Sequence, residues 1–146
     1  MATEVAMVFD RSGRVLYWHE PADRTGGSLP DSRSLWDVLW ENRENLGGVA
    51  HTHPWNGEAH PSGTDLSTFA SIEAGLGRYL LWPIVTMTET TYLMYSPTRE
   101  AYIEVAPHMA APNNAQGEYG SFLNYETEKT WAQNIEELRR RSLNGG

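Results

Sequence analysis

The sequence predicts a single domain of mixed α and β structure with at least five strands. Three observations carry that prediction. Residues 4–9 and 14–19 are short apolar stretches rich in Val, Tyr, Phe and Trp, separated by Asp10-Arg11-Ser12-Gly13, which is hairpin chemistry. Segments beginning near residues 33 and 65 carry apolar residues at spacings of three and four, the period of a helix with one buried face. Residues 79–88 and 91–96 then read as two strands joined by a tight turn, with residues 100–105 as a further strand. A chain of 146 residues is long enough for one core, and it shows no repeat or linker.

The first two stretches form the opening hairpin. Glu20 to Pro30 has the Gly, Pro and Asp content of a loop. Asp31 or Ser32 then caps a helix whose Leu35, Trp36, Val38, Leu39 and Trp40 share one apolar face, which places Trp36 and Trp40 in the core. Asn45 to Gly48 stop that helix, and residues 48–53 form the next strand, ended by Pro54. Pro61-Ser62-Gly63-Thr64 turns into a second helix that starts at Asp65, is defined by Leu66, Phe69, Ala70 and Ala74, and halts near Gly75 and Gly77. Pro83 lacks a ladder donor, which predicts an edge strand or a bulge at that point. Residues 106–120, with their prolines, asparagines and glycines, predict a long loop, mobile or lid-like. Glu126 to Ser142 predict a terminal helix docked through Trp131, Ile135 and Leu138.

The chemistry concentrates between residues 51 and 65. In a strand, His51 and His53 point to the same face because side chains repeat every two residues. The turn after Pro54 brings Asp65 back in the first turn of the following helix as a third ligand. Two imidazoles and a carboxylate leave one position of a tetrahedral zinc open, the arrangement of a catalytic rather than a structural site. Structural sites usually use cysteine, and this chain has none. Taken alone, a His-x-His pair reads as ordinary strand histidines; Ser62 and Asp65 at their mutual spacing change that reading.

His51-x-His53-Pro54 followed by Pro61-Ser62-x-x-Asp65 resembles the metal-binding signature of the JAMM (MPN-plus, or JAB-domain) zinc metalloproteases, with Asp65 one position further from His53 than is usual. The extra loop residue costs little, since closure entropy grows with the logarithm of length. The resemblance covers roughly residues 3–96 and leaves residues 97–146 as a C-terminal extension. It implies a JAMM/MPN-like, cytidine-deaminase-like mixed sheet flanked by helices. It also implies Zn2+ as cofactor on His51, His53 and Asp65, and an isopeptidase or peptidase activity on a protein or peptide substrate, ubiquitin-like C-termini among them.

In that family a glutamate opens the first core strand and acts as general acid and base. Glu4, 47 positions before His51, fits the position, although Met7 stands where a glycine is expected. Glu20, Glu41 and Glu58 are the competitors for the role. The resemblance gives Ser62 the task of stabilising the oxyanion, while its ordinary reading is a helix cap next to Asp65. Thr52 should point away from the ligands into the core. His60 reads as solvent-exposed, and His19 and His108 have no partner visible in the sequence. Trp55, directly after His53-Pro54, is either an aromatic wall for substrate or a loop anchor.

A net charge of −8 and a pI near 5.0 argue against a nucleic-acid surface, which needs a basic stripe to meet phosphates. The start of the chain lacks a secretory signal, and no apolar run approaches a membrane span, so a cytoplasmic protein is expected. Only seven residues separate Pro54 from Ser62, and with the resemblance that compactness implies the small prokaryotic or phage type. Cysteine absence excludes disulfides and thiol catalysis. The diglycine at residues 145–146 reads as ordinary chain-end chemistry. The alternative function is a non-catalytic MPN-type scaffold or partner-binding module that has lost its metal.

Overall fold

The computed structural model describes residues 3–20, 33–106, 111–112, 119–120 and 125–144. The opening hairpin forms as expected: β1 (Ala6–Asp10) pairs antiparallel with β2 (Val15–His19). The Asp10 carboxylate ties its turn by accepting from the backbone N–H groups of Ser12 and Arg14. Helix α1 (Arg33–Glu41) follows, and its expected caps, Asp31 and Ser32, lie outside the described residues, as does the loop expected up to Pro30. Strand β3 (Leu46–Thr52) leads to helix α2 (Gly63–Leu76). Then come β4 (Trp82–Val85), β5 (Thr90–Ser96) and β6 (Ala101–Glu104). The two-residue strands β7 (Ala111–Pro112) and β8 (Tyr119–Gly120) pair with each other before helix α3 (Tyr125–Leu143) closes the chain.

The main sheet has the order β2-β1-β3-β4-β5-β6, with β3 and β4 parallel and every other pair antiparallel. The parallel pair requires a crossover, and α2 supplies it. Both faces of the sheet are covered. Ala6, Val8, Val49 and Ile84 pack with Leu35, Leu39, Phe69 and Ile72 of α1 and α2 on one face. Val5, Met7, Phe9, Ala50 and Val85 pack with Trp131, Ile135 and Leu138 of α3 on the other. The terminal helix is thus one wall of the core. Trp131 meets Phe9 edge to face at 4.8 Å between ring centroids and donates from Nε1 to the Tyr92 hydroxyl.

Several sequence expectations need correction. Pro83 lies on neither an edge nor a bulge: β4 is interior, between β3 and β5. Its missing donor is accommodated by a gap in the parallel ladder, which shows a single bridge at Gly48–Leu81 and resumes at His51–Ile84. Helix α2 begins two residues earlier than expected; its end falls where expected, the turn passing Gly75 and closing at the C-cap Gly77, whose left-handed backbone (φ 72°) suits glycine. Residues 106–120 are not wholly a loop, since β7 and β8 lie within them; the rest of that segment, with His108 and the lid reading, falls outside the described residues, as does the terminal diglycine. Trp36 packs half-buried on the core, but Trp40 is 45% exposed with the Arg43 guanidinium 4.1 Å above its ring. The helix turns Trp40 outward at the edge of its apolar stripe, where a cation covers it instead of the sheet.

Gly48 has a demanding position at the start of β3. A Cβ there would stand 1.9 Å from the Leu81 carbonyl oxygen, so only glycine lets β4 approach. Among the described residues no helix is long and apolar enough to cross a membrane.

Candidate metal centre

The end of β3 and the start of α2 bring His51, His53 and Asp65 together, all fully buried. His51 pairs with Ala6 on one side and Ile84 on the other, so its position is set by both central neighbours in the sheet. His53 lies one residue beyond the strand, yet its N–H still donates to the Val85 carbonyl. Asp65 is held by a capping box: its backbone N–H donates to Ser62 Oγ, and its Oδ2 accepts from the Ser62 N–H, both at 3.0 Å. The helix start therefore aims the carboxylate.

One oxygen, Asp65 Oδ2, is the focus. His53 Nε2 lies 2.9 Å from it, and His51 Nε2 lies 3.2 Å from it without the alignment of a hydrogen bond. One donor atom from each of the three residues falls within 4.8 Å of the others. A tetrahedral zinc with bonds near 2.0–2.1 Å spaces its ligand atoms about 3.4 Å apart, close to the 3.2 and 2.9 Å at which the two imidazoles stand from Asp65, so the group could hold a metal ion. Burial lowers the His51 pKa, against the pull of the Asp65 carboxylate, which favours the neutral imidazole that a metal needs. Burial works to raise the Asp65 pKa, but the close His51 and His53 imidazoles and the hydrogen bond from the Ser62 N–H outweigh it and hold the carboxyl well below the usual range.

Aromatic contacts fix the two rings. His51 meets Phe69 at a ring distance of 5.8 Å and an angle of 67°, while Trp55 stacks on His53 at 4.4 Å and 17°. Trp55, 37% exposed, anchors itself by donating from Nε1 to the Glu58 carbonyl. It is thus both a loop anchor and the solvent-side wall of His53. The Nδ1 atoms of both histidines lack a hydrogen-bond partner among the described residues, so ring packing takes the orienting role that a carboxylate or carbonyl often plays.

Glu4 completes the cluster. Continuing the Ala6–His51 register by two residues sets Glu4 opposite His53 on the face that bears the ligands. Its side chain is buried, and neither oxygen has a hydrogen-bond partner among the described residues. Burial, reinforced by the nearby Asp65 charge, pushes its pKa up to about 9. The three competing glutamates are exposed: Glu20 pairs with Arg141 at 3.2 Å, and Glu41 and Glu58 lie on the surface. Met7, in the place of the expected glycine, points to the opposite face and packs in the α3 core, away from His51, His53 and Asp65.

Thr52, between the two histidines, is buried on the α3 side, as its parity requires. Its Oγ1 accepts from the Val5 N–H at 2.9 Å, while its own N–H donates to the Val5 carbonyl at 3.0 Å. This clamp sets the height of Glu4 beside the ligands. The Thr3 N–H donates to the Ser142 carbonyl, so α3 holds the same end of the chain. Ser62 is the helix cap; the bond from the Asp65 N–H uses an oxygen lone pair and leaves the hydroxyl proton available to donate. His60 is exposed and His19 is buried near Tyr17.

The interior also holds two charged groups that the sequence did not single out. Glu73 accepts from the Leu80 N–H, Trp82 Nε1 and the Tyr102 hydroxyl, and Arg78 is buried near the start of β3. Glu73 lies on the buried side of a helix, but no local pattern marks a carboxylate whose partners come from three other segments. No protein-family model matches this chain, and no curated protein matches it either, so the likeness to a known family rests on the motif residues.

Proposed function

We propose that this chain is a zinc-dependent metalloprotease or isopeptidase of the JAMM type. The observation that carries the reading is a fully buried His51, His53 and Asp65 trio at ligand spacing with an unpaired, buried Glu4 carboxylate beside it. A structural cluster of this polarity would be expected to satisfy its own groups, because an unpaired buried polar atom costs about 1–3 kcal/mol. Unpaired acceptors clustered beside a ligand set are instead what a functional centre retains.

His51, His53 and Asp65 would hold the ion. When bound, zinc polarises a substrate carbonyl and brings the pKa of water to about 7. Glu4 would accept a proton from the attacking water and return it to the leaving amine; burial raises its pKa in the metal-free protein, and the positive charge of a bound ion would counter that rise and leave the carboxylate ionised to act as the base. Ser62, at the mouth of the helix, donates its hydroxyl proton toward the developing oxyanion. Trp55 limits solvent access over His53 and offers an aromatic wall to an extended peptide. The substrate is an amide or isopeptide bond, with a ubiquitin-like C-terminus as the leading candidate.

The test joins metal content to turnover. Purified protein should bind one zinc, and Glu4→Gln should keep that zinc while turnover of peptide or ubiquitin-like conjugates falls by about a hundred- to ten-thousand-fold. Protein that binds no zinc, or a Glu4→Gln variant with full activity, would overturn the reading.

A further inference from the structure

The end of the sheet opposite the metal ligands holds an unmatched cation. Arg78 follows the C-cap of α2 and precedes Leu81, which bridges Gly48 at the start of β3. The five residue steps from Gly48 to His53 separate this point from the metal ligands by roughly 17 Å at the rise of a strand. Arg78 is only 9% exposed. Its Nη1 donates to the Arg43 carbonyl at 2.6 Å. Nε and Nη2 are buried and have no hydrogen-bond partner among the described residues.

Those two nitrogens form one edge of the guanidinium plane, the fork that grips a carboxylate or phosphate through two parallel hydrogen bonds. No described acid forms a salt bridge with Arg78. Burial, and then the neighbouring charge of Arg11, lower its pKa to about 10, which leaves it cationic at neutral pH. A buried cation facing a second cation, in a chain of net charge −8, is a costly arrangement without an anion.

Arg78 also lines a cavity of about 440 Å³ with Glu73, Gly77, Tyr79, Tyr95 and Tyr102. The tyrosines pack as a row, Tyr79 to Tyr95 at 5.2 Å and Tyr95 to Tyr102 at 5.3 Å between ring centroids. Glu73, the acid in this lining, is committed to the interior by its bonds from Leu80, Trp82 and Tyr102.

The geometry points to a second binding site, remote from the metal ligands, in which a shift of the Arg78 side chain presents its now covered Nε–Nη2 edge to an oxyanion carried on a small ligand whose body lies against Tyr79, Tyr95 and Tyr102. The shared chemistry is a planar carboxylate or a phosphate group. The site is independent of the hydrolytic reading above.

The experiment follows the side-chain Nε–H resonances of the whole ¹⁵N-labelled protein during titration with inorganic phosphate and, separately, with benzoate, at constant ionic strength. The Arg78 resonance should move and saturate with at least one of them while those of Arg139 and Arg140 stay in place. Response to phosphate alone assigns a phosphate-bearing ligand, and response to benzoate assigns a carboxylate. Arg78→Lys, which keeps the charge and loses the fork, should weaken binding at least tenfold. No saturable shift up to roughly 50 mM of either anion, well past millimolar affinity, overturns the site. An equal shift of all arginines does the same. Should the variant fail to fold, the wild-type titration decides alone.

Discussion

Glu4→Gln has a second consequence, visible in the stability of the metal-stripped protein. The Glu4 carboxyl is buried, and its pKa stands at about 9 against an ordinary value of 4.5. A folded-state pKa above the unfolded one means that the native form holds the proton more tightly than the unfolded chain does. Its contribution to stability is complete below about pH 4.5 and is lost progressively as the pH rises toward 9. Each unit within that window costs about 1.4 kcal/mol, so between pH 5 and pH 7 the wild type loses about 3 kcal/mol that Glu4→Gln retains. The comparison cancels the cost of burying the amide, which is the same at both pH values. For a domain of this size the differential is roughly 6–12 °C in Tm. Urea unfolding of both proteins in chelator, at several pH values from 5 to 7, measures it. Parallel stability curves over this range would refute the sequestered carboxyl. Convergence at pH 5 with divergence at pH 7 would support a residue retained at the expense of stability.

Asp65→Ala removes a metal ligand and the N3 half of a capping box, so elemental analysis should find zinc lost and calorimetry should find the metal-free protein less stable by about 1 kcal/mol. Normal zinc content in that variant would contradict the ligand set. Thr52→Val keeps the volume but leaves the buried Val5 N–H without its acceptor, which should destabilise the fold by about 1–3 kcal/mol in urea titration while zinc content stays unchanged. Trp131→Ala removes the aromatic that joins α3 to Phe9 and Tyr92 and should cost about 3–5 kcal/mol; an exposed or undocked α3 would show as a near-neutral change.

The candidate centre was legible because its information is local. Parity alone puts His51 and His53 on one face, and a Ser-x-x-Asp start to a helix brings Asp65 in through the capping box. The same parity turns Thr52 away and Glu4 toward the ligands once β1 and β3 are known to pair. The hairpin, the three helices and the succession of strands were legible for the same reason, since periodicity and turn chemistry act within a few residues. Helix α2 passing through Gly75 shows the limit of that logic: a glycine lowers helix propensity, but packing against Trp36 keeps the turn in place.

Strand order is not written in any one segment. Pro83 predicted an edge by its missing N–H, yet the tertiary structure puts β4 in the middle of the sheet and leaves a rung of the ladder unmade. Burial likewise separates Glu4 from Glu20, Glu41 and Glu58, which are alike in sequence and differ in whether sheet, helix and Asp65 surround them. The sequence by itself determined which residues can act as ligands and where the chain turns, because those depend on side-chain chemistry and near-neighbour geometry. Only the tertiary structure decided that α3 seals the second face, that Arg78 is buried without an acid partner among the described residues, and that Glu4 is buried on the sheet face that carries His51 and His53, because each requires contacts between segments whose separation along the chain carries no signal of their proximity.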